Sequence, residues 1–385
     1  ALLMNQLTRR TAIASVVISL GALAACTSGV PSTVKIGVAQ PMSGDLGELG
    51  KDMLQGVQLA VNELNKQGFK VDGKVVTLEV VSGDDKANSE EAVKVAQQMV
   101  DAGVVAVVGH LNSGQSIVAA PIYAAKGIAQ LAISTNPKFT ELGHATTLRL
   151  VANDNLQARA VGSYAATQIT ATKFAVVDDG TVYGKGLADA AAKQLEGKKT
   201  IALRQSFDDK TKDFGALAEK LKADGIEVVV STLNDFQVVA LIDALVKVDY
   251  NKKITIVGTD TIKTTEMVKH TDKIAAMFVT SPVLDAGEFP GGKAFLDAYQ
   301  AAYKTVPAYA GHYGYDATHV IAAAIKRSGS ADPAKITETL RKLDNFAPVT
   351  NSMKWDAKGE QRYGTVGVYV VRGGKWESQM RSDSW

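Results

Sequence analysis

From residue 34 onward the chain alternates two hydrophobic patterns. Short runs of β-branched and other apolar residues read as strands over 34–39, 75–81, 104–108, 174–177, 201–206, 228–231 and 254–258. Between them lie longer stretches with apolar residues three and four positions apart. These read as helices over 47–67, 89–100, 115–125, 186–195, 214–223 and 236–246. Val57, Val61 and Leu64 fall on one side of the first helix. The run Val104-Val105-Ala106-Val107-Val108 has no polar face, which suits a strand covered on both sides of a parallel sheet. Repeated strand–helix alternation predicts a doubly wound α/β architecture. The alternation occurs twice and is interrupted near 148–153, so two similar lobes are expected, 33–150 with 283–350 and 151–282 with 351–385. No low-complexity linker separates them, which points to short crossovers.

A different pattern precedes the first strand. Arg9 and Arg10 lead into an uncharged apolar stretch that ends Leu23-Ala24-Ala25-Cys26. A basic start, a short apolar core and a small-residue end mark a secretory signal. The apolar run 12–25 is shorter than the ~20 residues a bilayer span needs. Leu-Ala-Ala-Cys resembles the bacterial lipobox, so 1–26 is expected to be a signal peptide with Cys26 as the lipidated first residue of the mature chain. Ordinary cleavage after Ala25 is the alternative. Arg9-Arg10 after Thr8 loosely resembles a twin-arginine export signal, and Met4 is the expected initiator.

Charge and composition narrow the partners. Taking the two signal arginines from the 42 basic residues leaves as many basic as acidic residues, 40. That balance argues against nucleic acid or an anionic membrane surface as the partner. Cys26 is the one cysteine, so the mature chain has neither disulfides nor thiol chemistry. His110, His144, His270, His312 and His319 show no metal-ligand spacing, and no metal or other cofactor is expected. There is no Gly-x-Ser-x-Gly elbow, and no histidine is placed to activate a serine. The adjacent carboxylates Asp84-Asp85 and Asp178-Asp179 read more readily as turns and caps than as an acid/base pair.

In open parallel sheets ligands sit beyond the carboxyl ends of strands, at helix N-termini. Four such exits carry polar or small residues. Gly109-His110-Leu111-Asn112-Ser113-Gly114-Gln115-Ser116 comes close to a phosphate loop, but Gln115 stands where the phosphate-binding lysine belongs. Free amides and a helix dipole without that cation suit a smaller anion such as a carboxylate. Ser113 can add a hydroxyl. Ile133-Ser134-Thr135-Asn136-Pro137-Lys138 offers hydroxyl donors and backbone carbonyls, though it is also good turn chemistry. Asp178 to Gly186 carries Tyr183 at a glycine-rich turn, an apolar wall with a polar tip. In Gly258-Thr259-Asp260-Thr261, Asp260 can pair with a cationic ligand group or cap the next helix.

With these exits in hand, the chain resembles the branched-chain amino acid (Leu/Ile/Val) substrate-binding proteins of bacterial ABC importers, with a type I periplasmic binding protein fold. The likeness rests on Gln40-Pro41-Met42-Ser43-Gly44, on Gly109 to Gly114 and on Thr135-Asn136-Pro137-Lys138-Phe139-Thr140. It continues through Asp178-Asp179 with Thr181 and Tyr183-Gly184, Gly258-Thr259-Asp260, and Trp355-Asp356-Ala357-Lys358-Gly359. The resemblance implies two Rossmann-like lobes joined by three crossovers and closing on a small amino acid. It also implies that Ser113 and Thr135 hold the ligand carboxylate, with Asn112 beside them. The Ile133 carbonyl would face the ammonium, next to Ser134, while Tyr183 covers the ligand and Asp260 pairs with its ammonium. Asn234 lies in a second-lobe exit, Ser231-Thr232-Leu233-Asn234-Asp235-Phe236, where relatives often show glycines and an aromatic. Leu49 stands where some members place an aromatic, and the chain is about one residue shorter near Ile133. These departures leave open binders of aromatic or other small carboxylic acids, amides or urea, and a ligand-sensing subunit of a receptor. The implied partners are an ABC permease and the membrane through the lipid anchor. The protein is expected to be a monomer, without enzymatic activity, in the periplasm or on the outer face of the cytoplasmic membrane.

Overall fold

The computed structural model describes residues 29–342 and 344–382; Cys26 and the expected signal segment lie outside the described residues. The apolar runs become strands of two separate sheets. The first begins with β1 (Thr33–Gln40), continues past a small ribbon of β2 (Lys70–Val71) and β3 (Lys74–Val75), and adds β4 (Thr77–Asp84), β5 (Ala106–Gly109), β6 (Ala129–Ala132) and β7 (Thr147–Arg149). Its order is β4-β1-β5-β6-β7, all parallel, with Val38 paired to Ser82 on one side and Val108 on the other. The second sheet contains β8 (Lys173–Asp178), β9 (Thr200–Ser206), β10 (Val228–Ser231), β11 (Thr255–Gly258) and β12 (Ala276–Ser281). After a ribbon of β13 (Asn345–Ala347) and β14 (Asn351–Met353), the sheet is extended by antiparallel β15 (Gly367–Arg372) and β16 (Lys375–Arg381). The order is β16-β15-β12-β11-β10-β8-β9.

In both lobes the first parallel strand lies between the second and the third, so the winding direction reverses beside β1 and beside β8. Each reversal leaves a crevice between the helices that leave the sheet in opposite directions. The two crevices face one another, and this topology determines where a ligand can be held.

Two features depart from the sequence pattern. The helix Asp154–Gln168 carries the chain into the second lobe, and three later helices, Gly292–Tyr303, Gly311–Ser328 and Pro333–Lys342, were not legible as a β–α repeat. Residues 351–385 also divide differently from expectation. Met353 and Trp355 are packed in the first lobe's core with Val34, Ile36 and Met53, and the chain joins the second sheet only from Gly367. The cause is apolar burial: Trp355 fills space under the first sheet and donates its indole N–H to the Arg149 carbonyl at 2.7 Å.

The helix Gly311–Ser328 lies against the first helix, Gly47–Lys66, over the same sheet face, contributing Val320, Ile321 and Ile325. The backbones meet at Gly56, where an added Cβ would sit 1.9 Å from the Gly311 carbonyl oxygen. A rigid backbone atom cannot yield as a flexible side chain would. Gly56→Ala is therefore expected to destabilise the protein by about 2 kcal/mol or more. Urea unfolding midpoints test this, and a variant within about 0.5 kcal/mol of the parent would show that the helices separate freely.

Candidate functional site

The facing crevices enclose a cavity of about 490 Å³. The exits of β1 and β5 supply Ser43, Asn112 and Ser113 from one lobe, and the exits of β8 and β10 supply Thr181, Tyr183 and Asn234 from the other. Leu46, Val182 and Phe236 add apolar surface. The lobes touch across it: the Asn136 side-chain amide donates to the Val182 carbonyl at 3.1 Å, and Lys212 pairs with Asp45 at 3.1 Å.

On the first lobe Asn112 is the N-cap of the helix Ser113–Ala124, with extended φ and ψ of −82° and 140°. Its side chain makes no capping bond, and its Oδ1 is buried without a partner. The first-turn amides of this helix are left for another acceptor. Ser113 is buried and its Oγ accepts from the Asn136 N–H at 3.2 Å, which joins the helix start to the loop after β6. That loop carries Ile133, Ser134 and Thr135, all buried. Ile133 packs its side chain into the core, leaving only its backbone for a ligand. Ser134 turns its hydroxyl to Ser116 at 2.8 Å, and its carbonyl accepts from Arg149 at 2.7 Å, so its hydroxyl and carbonyl are already engaged within the protein.

Arg149 organises this loop. Its side chain has no exposed surface, and its guanidinium donates to the Ser134 and Asn136 carbonyls and to the Thr140 hydroxyl. It also forms a two-pronged pair with Glu360, both bonds 3.0 Å long. Burial alone would raise the Glu360 pKa, but Arg149 and the Thr140 hydroxyl outweigh it and hold the pKa below the ordinary value.

On the second lobe the hydroxyl of Tyr183 donates to Asp260 at 2.7 Å and lies 2.8 Å from the Thr259 hydroxyl. The Asp260 carboxylate also accepts from Gln157 at 2.9 Å and from Tyr309 at 3.0 Å. Burial raises its pKa while these three donors work against the rise. Asp260 therefore anchors a junction of the first crossover helix, the second lobe and Tyr309, two residues before the helix Gly311–Ser328. Gln157, Tyr309 and the fully buried Asp154 were not found from sequence, because nothing in the local pattern distinguishes them from surface polar residues. Asn234 closes a capping box with Gln237 and donates to Asp179 at 3.0 Å, so its amide N–H serves the second lobe's own framework. Asp178 pairs with Arg204 and Ser206, and Asp179 with Thr181 and Asn234, which gives both carboxylates structural partners. His110 is buried between Asp85 at 2.7 Å and the Tyr123 hydroxyl at 3.0 Å. Among the described residues, no group of three histidine, cysteine or acidic residues could hold a metal ion. None of the helices among them is long and apolar enough to cross a membrane.

The sequence over 33–375 matches the family model described as periplasmic binding protein. The chain belongs to that family. Membership makes it an extracytoplasmic ligand-binding protein, not an enzyme, and accounts for two doubly wound lobes around one cleft. It is 29% identical over 367 residues to the Leu/Ile/Val-binding protein homolog 1 of Brucella abortus, covering 94% of this chain and 95% of that one. It is 30% identical to the leucine-, isoleucine-, valine-, threonine- and alanine-binding protein of Pseudomonas aeruginosa, over 88% of this chain and 89% of the relative. The solved branched-chain amino acid transporter substrate-binding protein LivJ of Streptococcus pneumoniae, in complex with isoleucine, superposes with a TM-score of 0.80 at 27% identity. That match spans 90% of this chain and 98% of LivJ.

Proposed function

We propose that this periplasmic binding protein captures a small α-amino acid with an uncharged side chain and delivers it to an ABC permease, held at the membrane by a lipid on Cys26. The observation that carries this reading is an uncapped helix start at Asn112-Ser113 lining one side of a cleft whose other side carries Tyr183, with the buried Asp260 carboxylate behind the Tyr183 hydroxyl. An α-amino acid presents the complementary charges a few ångströms apart. By the family pattern, Ser113 and Thr135 take its carboxylate, the Ile133 carbonyl and Asp260 take its ammonium, and Tyr183 covers it. The amino acids bound by the Pseudomonas relative and by LivJ support the same ligand class. Hydrogen bonds to charged groups contribute about 1.5–3 kcal/mol each. A few of these with one buried apolar side chain reach about −8 kcal/mol, a micromolar Kd. Closure of the lobes would then bury the ligand and shift the open–closed equilibrium that a permease reads.

The test is calorimetric titration of the unfolded and refolded chain without residues 1–26, using leucine, valine, alanine and the des-amino analogue of each. Micromolar or tighter binding of at least one amino acid, and a hundredfold or greater loss for its des-amino analogue, is the expected result. Equal or tighter binding of the des-amino acids would leave the carboxylate half standing and remove the amino acid assignment.

A further inference from the structure

A second cavity, of about 260 Å³, lies between the lobes and shares no lining residue with the cleft cavity. The first lobe supplies Leu296 from the helix Gly292–Tyr303, Val306 and Tyr309 from the chain after it, and His312 from the helix Gly311–Ser328. The second lobe supplies Lys263, with Lys375 and Trp376 at the start of β16. Asp285 closes the cavity where the chain returns from β12 to the first lobe. Small-molecule sites favour such interfaces, and this volume falls just under the ~300–1,000 Å³ that holds drug-sized ligands.

The walls define the chemistry of an occupant. Trp376 spends its indole N–H on the Thr264 carbonyl at 2.9 Å, so its ring is what it has left to offer a ligand. Val306 is 54% exposed, which on a cavity wall is apolar surface still to be covered. Lys263 is buried between the Asp285 carboxylate and the ring of Tyr369. Lys375 is exposed and has no ion pair. Two ammonium groups against one carboxylate leave an excess of one positive charge. His312 adds a group of the opposite need. Burial holds its pKa down to about 4, against the pull of the Leu284 carbonyl, so the ring is neutral at pH 7. Its Nε2–H donates to that carbonyl at 2.7 Å, which makes Nδ1 an acceptor, and Nδ1 is buried without a partner. A bare acceptor of this kind on a cavity wall calls for a donor from outside the chain.

We propose that this cavity is a second ligand site, for a small flat monoanion carrying one hydrogen-bond donor, and that filling it favours the closed arrangement of the lobes. The reading goes beyond capture in the cleft. A molecule held by walls from both lobes binds the joined lobes better than the parted ones, and so shifts the population towards them. Tyr309 carries the link onward: it lines this cavity while its hydroxyl donates to Asp260 at 3.0 Å. An occupant therefore tightens capture in the cleft, and the cleft ligand tightens the occupant's hold by the same factor.

The probe is 3-hydroxyphenylacetate, added to the refolded chain without any cleft ligand and followed by the indole N–H resonances of the nitrogen-15-labelled protein. A saturating shift of the Trp376 signal is expected, with a Kd of about 1 mM or tighter, while that of Trp355 stays in place. A weaker Kd, or no shift at Trp376, overturns the site. Lys375→Glu and Val306→Glu change exposed residues on opposite walls, and each should weaken the probe by about tenfold or more. Undiminished binding in both places the probe elsewhere and overturns the site. Wild-type protein then tests the ligand class. 3-Hydroxyphenylacetamide lacks the charge and phenylacetate lacks the donor, and each should bind at least about fivefold more weakly. An equal Kd for the amide overturns the preference for an anion, and an equal Kd for phenylacetate overturns the role of His312. Small-angle scattering reads the coupling. Saturating probe should lower the radius of gyration of the wild type and leave that of Lys375→Glu unchanged; an unchanged wild-type radius overturns the link to closure. None of these readings requires an amino acid in the cleft, so they stand or fall apart from the proposed function.

Discussion

Asp260→Ala is expected to weaken capture of an α-amino acid by at least a hundredfold while leaving its des-amino analogue within about tenfold. Truncating one partner of a buried, hydrogen-bonded charge pair costs about 2–5 kcal/mol, and each 1.4 kcal/mol is tenfold in affinity. Asp260 sits at the upper part of that range because its carboxylate is where Tyr183, Gln157 and Tyr309 converge. Without it the two phenol hydroxyls and the amide lose their shared acceptor, and the surfaces that meet when the lobes close lose their common anchor. Asp260→Asn retains an acceptor for these donors but no charge, which separates ammonium pairing from scaffolding. Calorimetric Kd values for both ligand types decide the matter. An equal loss for amino and des-amino ligands in Asp260→Asn would mean that Asp260 only organises the junction.

Glu360→Ala should be the most destabilising single change at the site, by about 3–5 kcal/mol, because it leaves the Arg149 guanidinium buried and uncompensated. Arg149 also holds the carbonyls of Ser134 and Asn136, so ligand affinity should fall together with stability. The folded pKa of Glu360 lies below its ordinary 4.5. Its contribution is therefore complete above about pH 4.5 and disappears as pH falls through the lower folded value. Glu360→Gln should flatten that acid limb. Chemical unfolding at pH 7 and pH 4 checks both points; a Glu360→Ala variant within about 1 kcal/mol of wild type would falsify the central role of this pair.

The parts of the fold legible in sequence are those where burial and chain period coincide. Val104 to Val108 and Val228 to Val230 are apolar on both faces because helices cover both sides of their sheets, and local composition records that. Polar residues at strand exits were legible for a related reason: the topology requires ligands to sit there. The residues that escaped are polar groups whose burial depends on distant segments. Arg149 reads as a surface arginine until Glu360, 211 positions away, is placed against it. Tyr309 precedes the helix Gly311–Ser328 and meets Asp260 only through the interlobe junction. Ser134 was legible as a hydroxyl at a strand end, but its orientation towards Ser116 is a packing outcome with no local signature.

The helix Gly311–Ser328 has a consequence for the order in which the molecule is assembled. Val34, Ile36 and Val38 of β1 share a core with Val320, Ile321 and Ile325 of this helix, almost three hundred residues later. A chain threaded through a membrane from its amino end delivers the first sheet early and its last covering helix late. Five of the second sheet's seven strands arrive in the interval. The early sheet therefore keeps an incompletely covered apolar face through most of translocation, the kind of surface on which unwanted association begins. Such a chain needs either rapid delivery or a holding partner outside the membrane until its final third appears.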